Sequence, residues 1–548
     1  MKWVMRAWTL VIAMAGGGSA WATVVHHVIA AQGNAAPGGG TFDYYFGPPQ
    51  LNSNGQVAFY AGVNGDSGFV QGIFRYDGST GIAIALSGNA APAGGNYDYL
   101  SDDPVQLNSS GQVVFQTELT GGSSNRGIFR HDGTTAIPIA LNFTATPAGG
   151  VYDSVSYPRL ADNGQVAFLA NVVAGPSDKG IFRHDGTTGV AIALRSAAAP
   201  AGGNYSDLSH IFNLNTIGQV VFDADLTGGS NPEGIFRVDG ETGEAIALRG
   251  APAPAGGNYR NLFDPRLNSI GHVAHVAFLD GSSDRGLFRH GGETGSITIA
   301  LGGAPAPAGG DYDTFSYPEL NSTGEVAYWA RLTGGLNAEG IFRHDGATAT
   351  AVALQNSAAP GTTTTFFSSF DFGSSVRMND DGIVAFHAKL IGAGVTEANN
   401  EGLWYGTNSS DLELLVREGD TMFVNGMNRT LGELPSGSDA FSLSETGIAW
   451  TATFTDNTSA IIHSTFGAVP GDYNGNGVVD AADYTVWRDS LGGATYTQSH
   501  YDLWKQNFGA VSPGIGATGS DARAAVPEPA AWMLILIGLA SSLVFRRR

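Results

Sequence analysis

The chain has 548 residues, 79 of them glycine and none cysteine, and a formal net charge of -22. Without cysteine there are no disulfides and no thiolate metal sites, and the acidity disfavours nucleic acid or anionic lipid as a partner, since both are held by clustered Lys and Arg. Only 14% of the residues are charged, and glycine stands at about twice its usual ~7% share, a composition for short strands joined by tight turns.

The amino terminus reads Met1-Lys2-Trp3-Val4-Met5-Arg6, continues in an apolar run through Met14, and reaches Ala20-Trp21-Ala22. A basic start, a short apolar stretch and an A-x-A pattern predict a signal peptide over 1–22, with the mature chain beginning at Thr23.

From Leu51 to Phe466 one pattern recurs eight times, anchored by Gly55, Gly111, Gly164, Gly218, Gly271, Gly324, Gly382 and Gly447. A near-fixed period of this length marks a propeller, solenoid or domain array. In the third unit the turn Ala161-Asp162-Asn163-Gly164 separates two apolar stretches, and the Asn-Gly pair predicts a hairpin. Gly180-Ile181-Phe182-Arg183-His184 follows as a third strand, Asp185-Gly186 turns the chain, and Val190-Ala191-Ile192-Ala193-Leu194 is the fourth. Ala199-Pro200-Ala201-Gly202-Gly203 cannot extend a ladder and closes the unit.

These strands are apolar on both faces, as when each sheet is covered by two others. Four-stranded units of about 50 residues stacked face to face describe the blades of a β-propeller. The eighth unit lacks its last strand, and Val24 to Gly33 matches that missing piece, so an amino-terminal strand is expected to complete the last blade and close a ring. The expectation is an all-β propeller over 23–468 with about eight blades, or seven if the divergent units are not blades.

The pattern Asn52-Ser53-Asn54-Gly55-Gln56-Val57-Ala58-Phe59, repeated as Asn379-Asp380-Asp381-Gly382-Ile383-Val384-Ala385-Phe386, resembles a bacterial family of NxxGxxAF tandem repeats with varied carboxyl-terminal anchors. The resemblance implies the fold and brings no activity.

Beyond the repeats, Asp472, Asn474, Asn476, the Val478 carbonyl, Asp480 and Asp483 follow positions 1, 3, 5, 7, 9 and 12 of a calcium loop, with Gly477 at the turn position. Calcium is the expected ion. The loop and its following helix resemble a dockerin repeat; His500 to Gly509 aligns with a second helix whose loop is missing, so one calcium is expected over 469–510. A dockerin implies a cohesin partner, but the lost loop argues against that pairing and leaves a small spacer as the alternative. A linker at 511–525 leads to Val526-Pro527-Glu528-Pro529, an apolar run from Ala530 to Phe545, and Arg546-Arg547-Arg548. This three-part tail over 526–548 resembles a PEP-CTERM sorting signal, which implies recognition and removal by an exosortase-type protease in a bacterium that makes extracellular polysaccharide. The alternative is a permanent membrane anchor.

No catalytic constellation stands out. Arg183-His184-Asp185-Gly186 recurs at Arg130 and Arg343, and a residue type placed in most blades reads as a turn element. Tyr97, Tyr152, Tyr205, Tyr259 and Tyr312 each follow the Gly-Gly of a blade loop. On one rim they would stack on sugar rings; inside a blade they would only pack. The sequence therefore reads as an exported, monomeric, non-catalytic surface scaffold or polysaccharide binder. The competing class is an extracellular polysaccharide-degrading enzyme or enzyme-complex component attached through the dockerin-like segment.

Overall fold

The structure, a computed structural model, describes residues 24–466, 471–473, 478–489 and 498–510, apart from 66–67, 102–104, 241, 282–283, 292–294, 308, 371–375 and 438. The expected signal peptide, linker and sorting tail lie outside the described residues.

Eight antiparallel sheets form the body, covering residues 41–86, 96–141, 151–194, 204–248, 258–301, 311–354 and 365–417, with 441–465 joined by 25–31 as the eighth. The count is eight, and the divergent seventh and eighth units are blades. Blade 3 is typical: Val151–Leu160, Val166–Val173, Lys179–His184 and Gly189–Leu194 lie side by side in chain order. In blades 1, 2, 6 and 7 the first strand breaks into two pieces that pair with the same second strand. First strands of adjacent blades approach one another, as Gln50–Leu51 does both Gln106–Leu107 and Phe441–Ser444. They are therefore the innermost strands, lining the central channel.

Closure follows the sequence expectation. Val25–Ala31 pairs antiparallel with Ser459–Thr465, with Val25 opposite Thr465 and Ala31 opposite Ala460, and becomes the outer strand of blade 8. The added hairpin, Thr421–Val424 and Met427–Thr430, lies between blades 7 and 8; its Met422 and Val424 join Ala31, Trp450 and Phe454 in the closing core.

The two-faced strands do what their composition dictates. Val166, Phe168 and Ala170 pack with Ile128, Ile139 and Ala140 of blade 2, whereas Ala167 and Leu169 pack with Leu208, Phe212 and Phe222 of blade 4. The small residues of the fourth strand let the next blade come close. The glycine opening each Gly-Ile-Phe-Arg strand has the same cause: a Cβ on Gly180 would lie 2.7 Å from Leu194 Cδ2 and 2.9 Å from Phe182 Cε2.

The repeat's anchor turn is not the two-residue turn that Asn-Gly suggests. Gly55 N–H donates to the Asn52 carbonyl at 3.0 Å and Asn52 N–H to the Gln56 carbonyl at 3.1 Å; Gly55 has φ +76 while Asn54 is not left-handed. This is a type I turn followed by a left-handed residue, which glycine adopts without strain.

The motif's asparagine links blades. Asn52 Oδ1 accepts from Gln56 N–H at 2.9 Å, and its Nδ2 donates to the Asn108 carbonyl of blade 2 at 2.8 Å. The same bond runs from Asn108 to Ala161 at 3.1 Å, Asn215 to Asn268 at 3.1 Å, Asn268 to Asn321 at 2.9 Å, Asn321 to Asn379 at 3.5 Å and Asn379 to Ser444 at 3.1 Å. Ala161 in blade 3 and Ser444 in blade 8 have no amide to pass it on. The asparagines are buried, so losing a partner would leave a desolvated polar group.

Candidate functional site

The five tyrosines read as a possible stacking rim are not on a rim. Tyr97, Tyr152, Tyr205, Tyr259 and Tyr312 are each only 3% or 4% exposed. Each meets the third-strand phenylalanine of its own blade edge-on, as Tyr152 does Phe182 at 5.2 Å and 85°, so neither ring face is open to a sugar. Their phenols are correspondingly held in the neutral form: burial pushes Tyr97 up to about 12. The packing reading accounts for them.

The Arg-His-Asp-Gly turns are structural too. Asp185 Oδ1 accepts from Thr187 and Thr188 N–H, both at 2.7 Å, and these bonds hold its carboxyl below the usual range. His184 Nδ1 accepts from Gly186 N–H at 2.9 Å, and burial lowers its pKa. The arginine does not pair with the turn aspartate. Arg75, Arg130, Arg183, Arg237 and Arg289 instead reach the turn-glycine carbonyl of the next blade, at Gly111, Gly164, Gly218, Gly271 and Gly324 respectively. His275 is fully enclosed and pushed down to about 3 by burial; it stacks on Phe288 at 5.6 Å as the unit's counterpart of a core phenylalanine.

What does not repeat lies on the innermost strands. The residue preceding the constant leucine or methionine is Gln50, Gln106, Arg159, Asn213, Arg266, Glu319, Arg377 and Ser442 in successive blades. Here charges face charges: Arg377 lies 3.4 Å from Glu319 and 3.9 Å from Asp439. All four exposed tyrosines among the described residues, Tyr45, Tyr99, Tyr157 and Tyr317, also belong to these inner segments, at 39% to 46% exposure. Tyr157 has φ +55, an unusual conformation for a residue with a side chain. Its ring lies 5.2 Å from that of His210 on blade 4. A cavity of about 230 Å³ opens beside it, lined by Ser101, Gln106 and Gln116 of blade 2, Tyr157 and Arg159 of blade 3, and Asp439 ahead of blade 8. Since blade 1 separates blades 8 and 2, that lining spans the channel. The missed signal was present as variation: within a repeat, positions that escape repetition are those the frame does not need.

Two carboxyls at the junction of blades 4 and 5 are also displaced. Burial raises Asp223 and Asp264, and the charge of Asp264 adds to the rise at Asp223. Asp264 also has φ +54.

Of the expected calcium ligands, Asn474 and Asn476 lie outside the described residues. Asp472 and Asp483 are 6% and 0% exposed, and Val478 and Asp480 flank the start of α1 (Ala481–Asp489). Asp483 accepts Tyr473 N–H through Oδ1 and Asp480 N–H through Oδ2, both at 2.8 Å. A second helix, α2 (Gln498–Asn507), packs on α1 through Trp487 and Tyr501 at 4.7 Å. Trp504 Nε1 donates to the Asp480 carbonyl at 2.7 Å. Val479 N–H bonds the Ala510 carbonyl at 2.9 Å and its carbonyl accepts from Gly509 at 2.8 Å. Among the described residues no group of three or more His, Asp or Glu side chains is placed to hold a metal, and no helix is long and apolar enough to cross a membrane.

Comparison with known families matches residues 83–474 to the family of unknown function DUF7453, more than half of the chain. The chain belongs to the DUF7453 family. Residues 525–548 match the PEP-CTERM protein-sorting motif, which marks an exported, surface-sorted protein of the kind recognised by exosortase-type machinery. Comparison with curated proteins finds no match. Among solved structures, similarity extends to Porphyromonas gingivalis dipeptidyl peptidase 4, at 11% identity and a TM-score of 0.41, covering 75% of this chain and 58% of that one. The β-propeller domain of the Trilobed protease from Pyrococcus furiosus is 10% identical, with a TM-score of 0.36 over 69% of this chain and 99% of that one. Oligogalacturonate lyase from Vibrio parahaemolyticus is 13% identical, with a TM-score of 0.37 over 81% and 100%. Scores this low carry no argument about chemistry.

Proposed function

We propose that this DUF7453 member is a non-catalytic, polysaccharide-binding propeller of the cell surface or extracellular matrix, with the channel face of its innermost strands as the binding surface. The observation that carries this reading is the concentration of exposed tyrosines and of non-repeating polar residues on those strands. Tyrosine offers a sugar both an apolar face and a hydroxyl. The frame residues, by contrast, are accounted for by turns and inter-blade bonds. Retention of the whole protein on insoluble polysaccharides, with no new reducing ends in the supernatant, tests it; failure to bind any of a broad panel removes it.

The same reading gives the segment after the propeller a calcium ion. Asp472 and Asp483 are buried carboxylates at the first and last ligand positions, and two anions shielded from water are stabilised by a divalent cation. Asn474, Asn476, the Val478 carbonyl and Asp480 would complete an oxygen shell. Titration with calcium should give one site per chain, lost in Asp483→Asn; absence of a site in the native protein excludes the loop. The aromatic contact between α1 and α2 supports a dockerin-like helix pair acting as a compact spacer between propeller and sorting tail, and an exosortase-type protease is the partner expected at that tail.

The competing reading, an extracellular polysaccharide-degrading enzyme, is favoured by Asp223 and Asp264, two neighbouring carboxyls biased toward the protonated form, as a general acid requires. Release of reducing ends by the native protein, abolished in Asp223→Asn, would put that reading in place of the first.

A further inference from the structure

From the cavity bounded by Ser101, Gln106, Gln116, Tyr157, Arg159 and Asp439, we infer a subsite that holds one uncharged hexopyranose unit of a polysaccharide. The inference rests on the polysaccharide-binding reading and narrows it to a place and a chemical class.

Size comes first. At about 230 Å³, the cavity falls below the ~300–1,000 Å³ usual for drug-sized ligands, which suits a single sugar ring rather than a chain. The lining sets the chemistry. Ser101 Oγ and the side-chain amides of Gln106 and Gln116 each offer both donor and acceptor capacity, Arg159 offers donors only, and Asp439 acceptors only. Hydroxyl groups need such a mixture, because each donates one hydrogen bond while accepting others. Pro158 supplies an apolar part of the wall, and Tyr157 adds an aromatic surface for the C–H face of a pyranose.

Charge then separates neutral from acidic sugars. The lining holds one cation and one anion, Arg159 and Asp439; the Arg159 guanidinium donates through Nε to the Phe212 carbonyl at 3.3 Å and through Nη1 to the Pro158 carbonyl at 3.2 Å. Asp439 also lies 3.9 Å from Arg377, which is itself 3.4 Å from Glu319. Two cations meet two anions, so no surplus positive charge is left to offset a uronate, and Asp439 would repel one.

Tyr157 is the residue most specific to the subsite. A side chain held at φ +55 is strained relative to the ordinary backbone regions, and such strain collects where geometry serves a ligand. The left-handed turn sets the ring beside His210 of blade 4, with 45% of the residue still exposed.

The test is calorimetric titration of the whole protein with the methyl glycosides of glucose, galactose and mannose, and with galacturonate. At least one neutral glycoside should bind, with an affinity unchanged by added salt, and galacturonate should bind more weakly. Asp439→Asn and Tyr157→Ala should each weaken that binding about tenfold or more, the cost expected when a hydrogen-bond partner or stacking face that the bound sugar would cover is removed. Leu336→Ser, at a loop position 96% exposed, should leave it unchanged. Asp439 is half exposed, so Asp439→Asn should fold as the native protein does, and matching thermal unfolding curves would verify this. Tighter binding of galacturonate than of every neutral glycoside overturns the inference, as does neutral binding untouched by both variants. Retention on polymers with no monosaccharide binding also overturns it, while leaving the polysaccharide-binding reading in place; loss of polymer retention as well ends both.

Discussion

Blades 2 to 6 and the closing blade share one sequence pattern but are held by different chemistry. Blades 2 to 6 form from consecutive residues and are tied to the next blade's turn carbonyls by an asparagine in blades 2, 4, 5 and 6 and by an arginine in blades 2 to 5. The closing blade joins strands more than 400 residues apart, as in the His26 to Ser464 contact. At its turns it has Ser444 and His463 in place of the asparagine and arginine. Its junction with blade 1 relies on other bonds, Leu51 N–H to Ser442 Oγ at 3.0 Å and Thr451 Oγ1 to the Gly47 carbonyl at 3.4 Å. On the opposite side, toward blade 7, a larger apolar cluster joins Trp450, Phe454 and Leu431 to Ala385, Leu403 and Tyr405. Repetition is thus sufficient where neighbours are local in sequence. At the seam, where a long loop must be closed before contacts form, packing and an extra hairpin carry the load.

The strongest way to break this comparison is to remove residues 24–31. The edge of Ser459–Thr465 would lose its entire partner strand, and Ala30 and Ala31 would leave two cores. The expected outcome is the largest of all, a clear fall in thermal unfolding temperature with loss of the monomer peak on size exclusion, since an unpaired apolar edge recruits other chains. An equally stable monomer would show that the seam is held elsewhere.

A smaller effect is expected at the inter-blade asparagines. Asn268→Ala removes one of two bonds to the Asn321 carbonyl, which keeps its turn bond from Gly324 N–H, and leaves the His272 N–H without its side-chain acceptor, a cost of about 1–3 kcal/mol in denaturant unfolding. The converse substitution sharpens the point. Ala161→Asn supplies blade 3 with the amide its neighbours have, and should stabilise by about 1 kcal/mol.

The smallest effect at neutral pH, and one that appears only in acid, concerns the seam's histidines. His27 and His463 face each other across the closing pair, with ring centroids 6.4 Å apart. Burial pushes them down to about 4 and about 3 respectively, each further lowered by a neighbouring histidine. A depressed folded-state value means that stability is whole above the unfolded value near 6.5 and falls as pH drops from there toward 4 and 3. His463→Leu should flatten part of the decline in unfolding temperature between about pH 6.5 and 4, while matching the native protein at pH 8. An unchanged slope would place the acid sensitivity in other buried histidines such as His275.

Much of the frame was legible in the chain. The spacing of Gly55, Gly111, Gly164 and their successors marked out eight units, and the structure shows that all eight, the divergent seventh and eighth included, are blades. Strands apolar on both faces required sheets covered on both sides, and the stray strand near Val28 foretold the seam. The buried tyrosines show where that legibility stops. Tyr97 and its counterparts sit beside loop glycines, a position that suits either a rim or a core, and only the direction of the strand entering the blade turns the ring inward. Likewise Asn52 was legible only as the first residue of the repeat motif, and its role in bonding the next blade depends on a carbonyl 56 residues away.

Periodicity, glycine placement and two-faced hydrophobicity are local properties, so the sequence alone determined a ring of stacked four-stranded sheets with a calcium-loop pattern and a sorting motif behind it. The tertiary structure decided which strand faces the channel, which aromatics stay in water, and which side chains from blades 2, 3 and 8 meet across it. Those meetings join residues hundreds of positions apart, and their distances are set by how the sheets twist and close, which no single repeat encodes.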